Sequence, residues 1–342
     1  MNLADFQYRL PHSLIAQYPS RERDQSRLMV LHRDTGSIEH RTFCDLAEYL
    51  NRGDVLVVND TKVLKARLLG NKKTGGKVEV LITERVGDRI WKCMVKRARS
   101  ISYGSKVLFG DGLIGKFLGR DESGSWRIEF HFKGDFYEAI DEWGQVPLPP
   151  YIKRKKNLPF DEERYQTIFA TEPGSIAAPT AGLHFTHTLL QKVRQRDVSV
   201  VSITLHVNAG TFLPIRTKRV EDHKMAPEYC KIGPRAVEAI NMAKGRGGKI
   251  IAVGTTTTRS LESAVDSRGK IVPIAGYSDL FIHPPFRFRI VDALVTNFHL
   301  PGTTLLLLVS AFAPGELIMK AYEEAIRKEY RFFSYGDGML IL

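Results

Sequence analysis

The stretch Lys249-Ile250-Ile251-Ala252-Val253-Gly254-Thr255-Thr256-Thr257-Thr258-Arg259 passes from an apolar run to a hydroxyl-rich one through a single glycine. Lys249 to Val253 reads as a strand, and Thr256 to Val265 as the helix that follows it. The same alternation recurs around it. Val198 to His206 and Ile290 to Asn297 read as strands, while Pro234 to Gly245, Thr303 to Phe312 and Glu316 to Glu329 read as helices, the first with proline at its start. Strands alternating with helices predict a largely parallel sheet with helices on its faces, so the expected fold class is α/β.

Upstream the pattern changes. Val55 to Val58, Val63 to Leu69, Val78 to Thr83, Ile90 to Val95, Lys106 to Phe109, Leu113 to Leu118 and Trp126 to Phe132 read as short strands. Polar or glycine-containing turns separate them, as at Lys73-Thr74-Gly75-Gly76 and Gly110-Asp111-Gly112. That spacing predicts a small antiparallel β-barrel, and Pro147-Leu148-Pro149-Pro150 stiffens the chain as it leaves. The expected organisation is an α/β domain from residues 1–60 and 150–342, with 61–149 as an inserted barrel domain.

A chain of 342 residues accommodates about two domains. No stretch approaches the roughly 18 apolar residues of a membrane span, and Met1 to Pro11 carries Asp5 and Arg9 and lacks an apolar signal core, so a cytoplasmic protein is expected. Three widely spaced cysteines, Cys44, Cys93 and Cys230, suggest neither a disulfide framework nor a zinc site. The net charge of +12 favours an anionic partner. Between Thr61 and Gly110 thirteen Lys/Arg stand against three acids, Glu79, Glu84 and Asp88, and Lys153-Arg154-Lys155-Lys156 adds a second basic run. With Trp91, Tyr103 and Phe109 nearby, an RNA surface is expected at Lys72, Lys73, Lys77, Lys153, Arg154 and Lys155; a solvated face is the alternative.

Four segments carry the chemistry. They are Gly174 to Thr186, containing Pro179-Thr180-Ala181-Gly182-Leu183-His184-Phe185; Leu205 to Phe212, containing His206 and Gly210-Thr211-Phe212; Gly254 to Arg259; and Thr296-Asn297-Phe298-His299-Leu300-Pro301. Ligands of α/β sheets bind outside the carboxyl ends of the strands, which is where His206, Gly254, Asn297 and His299 fall. One rim is therefore expected, where these loops meet Pro179 to His184. Gly254-Thr255-Thr256 and Arg259 offer hydroxyls, free N–H groups and a cation at a helix start, an arrangement suited to a carboxylate or phosphate; threonine capping with an Arg259–Glu262 pair is the alternative. The stretch lacks the Gly-Lys-Thr/Ser of a P-loop. His184 and His187 stand three apart, but no acid lies between Gly174 and Arg196, and no metal is expected. Phe185, Phe212 and Phe298 are candidates to stack on a base, or else core residues, and Asn59-Asp60-Thr61 is a polar contact across a cleft or a turn.

Together these segments closely resemble the S-adenosylmethionine:tRNA ribosyltransferase-isomerases of queuosine biosynthesis. The resemblance runs from Leu14-Ile15-Ala16-Gln17 and Val58-Asn59-Asp60-Thr61, through Pro147 to Ile152, to Tyr330-Arg331-Phe332-Phe333-Ser334-Tyr335-Gly336-Asp337. The chain departs from the family pattern at Asn208-Ala209, at Ala226, where a second histidine usually follows Met225, and at Gly302. The resemblance implies a Rossmann-like or barrel-like α/β domain carrying a small β-barrel. It further implies transfer and isomerisation of the ribosyl group of S-adenosylmethionine, a consumed co-substrate rather than a cofactor, onto 7-aminomethyl-7-deazaguanine at the tRNA wobble position. The products would be epoxyqueuosine, adenine and methionine. The sulfonium acidifies the adjacent 5′ carbon, which calls for a base poised near neutrality and makes His184, His206 and His299 the candidates. Glu172, Glu228 and Asp279 are candidate proton donors to adenine. A monomer is expected. A metal-dependent RNA hydrolase and a non-catalytic RNA-binding protein are the rival readings.

Overall fold

A computed structural model describes residues 1–99, 101–154, 157–208 and 215–342. Among these, the main sheet holds nine strands in the order Ile274–Ser278, Glu228–Ile232, Ser199–Leu205, Val55–Asn59, Ile250–Val253, Ala293–Asn297, Gly338–Ile341, Arg27–Leu31 and Ile38–Thr42. Ser199–Leu205, Val55–Asn59, Ile250–Val253 and Ala293–Asn297 run parallel to their neighbours in this group. Outside them the sheet is mixed: Glu228–Ile232, Ile274–Ser278 and Ile38–Thr42 pair antiparallel, as does Gly338–Ile341 with Ala293–Asn297, while Gly338–Ile341 and Arg27–Leu31 are parallel. The expected α/β class is thus met with a mixed rather than largely parallel sheet.

The central strands are apolar because both their faces are covered. Val55 and Val57 pack with the helices Pro234–Gly245, Thr304–Phe312 and Gly315–Arg327; Leu56 and Val58 pack on the other face with the turn Phe43–Tyr49 and the helix His187–Gln195. The strand period of two feeds alternate residues to the two cores.

A closed antiparallel barrel comprises Arg67–Lys72, Lys77–Arg85, Ile90–Lys96, Trp126–His131, Leu113–Arg120 and Lys106–Gly110, the last pairing back to the first. Its own core holds Trp91, Phe109, Phe117, Trp126, Phe130 and Phe136. Phe136, at the start of the helix Phe136–Trp143, stacks on Trp91 at 4.5 Å between ring centroids. Gly110 has no room for a side chain, since a Cβ there would lie 2.0 Å from the Trp143 ring. The single strand expected from Val63 to Leu69 is instead two. Thr61–Val63 leaves the barrel aside and pairs in parallel with Glu172–Ser175, so the outgoing and returning chain form a two-stranded ribbon.

The helix Thr255–Ser263 is buried almost throughout although its sequence is polar. Its hydroxyls are satisfied by its own backbone: Thr257 Oγ1 donates to Val253 O, Thr258 Oγ1 to Gly254 O and Ser260 Oγ to Thr256 O. Gly254 enters it at φ +94°, a conformation that side-chain-bearing residues avoid. Glu262 accepts from the N–H groups of Arg289, Ile290 and Val291 at 2.9, 3.0 and 2.9 Å.

Asn59 knits the strand ends together while only 2 % exposed. Its Oδ1 accepts from Thr61 N at 3.1 Å and Leu205 N at 3.0 Å, and its Nδ2 donates to Leu205 O at 3.0 Å and Thr256 Oγ1 at 3.3 Å. It is a turn residue and a link between strands, rather than a contact across an open cleft. Asn59→Asp keeps the shape but removes the donor and buries a charge, so it should destabilise the fold by about 3 kcal/mol. Equilibrium denaturation against the parent chain measures this; an unchanged midpoint would contradict the role given to Asn59.

Candidate functional site

Two adjoining hollows lie at the carboxyl ends of the central strands. One is lined by Pro179, Thr180, Ala181, Val207, Gly254, Thr255, Thr256, Thr296, Asn297 and His299. The other shares Thr180, Asn297 and His299, together with Leu305, which also lines the first, and adds Tyr151, Thr303, Phe333 and Ser334. The structure thus brings together three of the four sequence segments, and the fourth contributes through Val207. Gly182 lies behind the lining, where a Cβ would come within 2.8 Å of Thr167. Tyr151 arrives from the proline-stiffened segment after the barrel and is bonded to Ser334 Oγ at 2.5 Å.

His184 is 4 % exposed and stacks on Phe43 at 4.6 Å. Asn297 Nδ2 lies 3.2 Å from Phe333 O and 3.1 Å from His184 Nε2. A carbonyl oxygen can only accept, which fixes the amide orientation, so His184 Nε2 presents a lone pair and Nδ1–H donates to Ser26 Oγ at 2.7 Å. Burial pushes the imidazole down to about 4, partly opposed by the Asp337 carboxylate. Both nitrogens are therefore engaged inside the protein, against the expectation that His184 is free to take a proton.

His299 is 6 % exposed and lines both hollows. Its Nε2 is 2.8 Å from Thr296 Oγ1, and its backbone is held by Tyr322 Oη, which accepts from His299 N, and Tyr8 Oη, which donates to His299 O. Burial lowers it to about 3, so it is neutral at physiological pH.

His206 is half-buried beside the ribbon and does not line either hollow. Its Nδ1 is 2.8 Å from Thr61 Oγ1, its ring stacks on Tyr229 at 5.6 Å, and Gly174 is close enough that a Cβ there would meet Nε2 at 2.6 Å. Burial lowers its basicity, while the Glu172 and Asp60 carboxylates raise it.

Several expectations are corrected. Phe185 and Phe298 are fully buried and cannot stack on a ligand: Phe185 packs on Phe43 and Phe169, Phe298 on Tyr322, Tyr330 and Phe332. Arg259 is not a free anion receptor, nor does it pair with Glu262; its guanidinium is buried against the Glu228 carboxylate and donates to Leu280 O at 3.0 Å. This pairing also removes Glu228 from the candidate acids. Arg154 turns inward to Asp161 at 2.6 Å, so it offers no surface charge. Lys72 Nζ donates to Arg99 O at 2.9 Å, whereas Lys73, Lys77 and Lys153 are exposed. Lys65, Arg67, Arg85, Lys92 and Lys96 are held in ion pairs, so the barrel's excess charge is partly neutralised internally. Trp91 and Phe109 belong to the barrel core, leaving Tyr103, 75 % exposed, as the aromatic outside it. Gly210, Thr211, Phe212 and Lys155 lie outside the described residues. His184 is buried and His187 exposed, and among the described residues no group of three or more His, Cys, Asp or Glu side chains could hold a metal ion.

Sequence reasoning missed Ser26, Phe43 and Thr303, which carry no local signature. Tyr151, Phe333 and Ser334 lie within the Pro147 to Ile152 and Tyr330 to Asp337 strings, so a signal for them existed.

A sequence profile described as queuosine biosynthesis protein matches residues 3–341. Proteins named S-adenosylmethionine:tRNA ribosyltransferase-isomerase from Symbiobacterium thermophilum and Carboxydothermus hydrogenoformans are 51% and 50% identical to the chain, with all of each chain covered. A crystal structure of an S-adenosylmethionine tRNA ribosyltransferase from Thermotoga maritima is 38% identical, with a TM-score of 0.57, covering 99% of this chain and 100% of that one. With such similarity along its whole length, the chain belongs to the family of queuosine biosynthesis proteins.

Proposed function

We propose that this protein is an S-adenosylmethionine:tRNA ribosyltransferase-isomerase acting as a cytoplasmic monomer. The observation that carries the reading is the full-length similarity, near 50% identity, to relatives bearing that name. The substrates are S-adenosylmethionine and a tRNA with 7-aminomethyl-7-deazaguanine at the wobble position; the products are epoxyqueuosine-tRNA, adenine and methionine. Neither rival reading, RNA hydrolase or passive RNA binder, draws support from the relatives.

In this reading the donor is anchored at the hollows between Pro179–Ala181, Gly254–Thr256 and Thr296–His299, whose hydroxyls and small residues suit a polar ligand, and its sulfonium end extends past Val207 to His206, which borders the hollows without lining them. His206 is the base that removes a proton from the 5′ carbon beside the sulfonium, after which adenine and then methionine depart. Its support is geometric and electrostatic. Thr61 orients Nδ1, and burial lowers the basicity of the ring, so that it is unprotonated and able to accept at neutral pH, while the Glu172 and Asp60 carboxylates limit the drop. Glu172, exposed on the same ribbon, acts in this reading as one of those carboxylates rather than as the acid for adenine. His299, neutral and buried, serves as a hydrogen-bonding wall of the donor site. Residues 61–149 act as an inserted domain that meets the tRNA backbone through Lys73 and Lys77, with Lys153 at its exit; residues 1–60 and 150–342 carry the chemistry.

Incubation with S-adenosylmethionine and a hairpin RNA carrying the 7-aminomethyl base should release adenine and methionine, with an RNA mass gain equal to the transferred ribosyl-derived group; a methyl-sized gain, or none, would end this reading. His206→Ala should lower kcat by about a hundredfold or more. The acid limb of kcat/KM should lie below the ordinary histidine range, because burial lowers His206. Glu172 raises His206 by favouring its protonated form, so Glu172→Gln should move that limb to still lower pH. An acid limb indifferent to Glu172 would remove His206 from the role of base. Finally, Lys73→Glu with Lys77→Glu should weaken tRNA binding and flatten its salt dependence, the logarithmic slope falling by about one for each phosphate that is no longer neutralised; an unchanged slope would move the RNA surface away from this hairpin.

A further inference from the structure

Asn297 ends a central strand with its side chain 1 % exposed, and it lines both hollows. Its amide nitrogen is fully committed, one hydrogen to Phe333 O and one to His184 Nε2. Among the described residues its carbonyl oxygen has no hydrogen-bond partner. A buried acceptor left unpaired is costly, and native structures rarely tolerate one unless something absent from the protein itself completes it. The environment also prevents the amide from turning over, because a rotated side chain would set an oxygen against the Phe333 carbonyl. Behind His184, Ser26 Oγ accepts from Nδ1–H and holds the tautomer that leaves Nε2 bare. Ser26, His184 and Asn297 therefore form one line of hydrogen bonds whose far end is an unpaired acceptor on a residue that lines both hollows.

We propose that Asn297 Oδ1 accepts a hydrogen bond from an N–H group of the bound donor, and that His184 is a positioning residue which orients the Asn297 amide. The inference rests on the reading of the donor as S-adenosylmethionine. That molecule carries N–H donors in two places, the 6-amino group of adenine and the α-ammonium of methionine, and the acceptor chemistry is the same for both.

The test uses the full chain complexed with a hairpin RNA bearing guanine at the wobble position, which lacks the aminomethyl acceptor. Calorimetry gives dissociation constants for S-adenosylmethionine, for its analogue without the 6-amino group and for its analogue without the α-amino group. The parent chain should bind one analogue about tenfold or more weakly than S-adenosylmethionine, and which one identifies the N–H group. In Asn297→Ala that preference should fall to near unity. His184→Ala should lose it as well, while His184→Gln, which offers an amide oxygen at about the reach of Nε2, should keep it. Equal binding of all three ligands by the parent chain would overturn the proposal and leave the proposed activity standing; that comparison needs no variant, so a variant that fails to fold does not blunt it. Failure of S-adenosylmethionine itself to bind would overturn the donor reading and this inference together. A preference retained in Asn297→Ala, or retained in His184→Ala, would overturn the role of the respective residue.

Discussion

The fold turns on a buried carboxamide, that of Asn59. At the end of the Val55–Asn59 strand the backbone has to leave the sheet for the barrel, and the groups it would have paired are left without a ladder. Asn59 resolves this with both ends of one side chain: its oxygen takes the N–H groups of Thr61 and Leu205, and its nitrogen serves Leu205 O and Thr256 Oγ1. Strand end, neighbouring strand, outgoing turn and helix start are thereby fixed to one another. A carboxylate could accept but not donate, and an aliphatic residue could do neither. The loops that line the hollows inherit their positions from this junction.

Three histidines that look alike in sequence are separated by their surroundings. His184 is sealed between Ser26, Asn297 and the Phe43 ring. His299 faces the hollows but is held neutral by burial. His206 keeps partial solvent contact and two carboxylates nearby. The low dielectric of the interior disfavours the charged ring, and the extent of that penalty, rather than residue type, sorts the three into different kinds of chemistry.

The legible part of the fold was the part governed by regular periodicity. The strands Ser199–Leu205, Ile250–Val253 and Ala293–Asn297, the helix Pro234–Gly245 and the barrel strands follow from apolar runs or alternation bounded by turn residues, whereas Val55–Asn59 reads as a strand of the barrel series but lies at the centre of the main sheet. The flanking strands were not legible for physical reasons. Gly338–Ile341 is four residues long, and Glu228–Ile232 and Ile274–Ser278 alternate in burial without alternating in polarity, since Glu228 is buried and Tyr277 exposed. The helix after Gly254 reads as a polar surface or an anion receptor, because sequence does not reveal that its hydroxyls bond to its own backbone or that Arg259 meets a carboxylate from a distant strand. Within the candidate site, the strand-end rule gave Gly254, Asn297 and His299, whereas Ser26 and Phe43 reach it through tertiary packing alone.

The parallel ribbon of Thr61–Val63 and Glu172–Ser175 has a mechanical meaning. Both covalent routes between the barrel and the main sheet pass through it, and Gln166, on the returning chain before it enters the ribbon, grips the Val63 backbone at N and O. The returning chain is also tied to the main body before it reaches the ribbon, where Tyr151 bonds Ser334 and Asp161 accepts from Tyr335. Thr61 and Gly174, the two residues that bracket the His206 ring, sit one on each strand of that ribbon. The segment that joins barrel to sheet is thus also the seat of the imidazole.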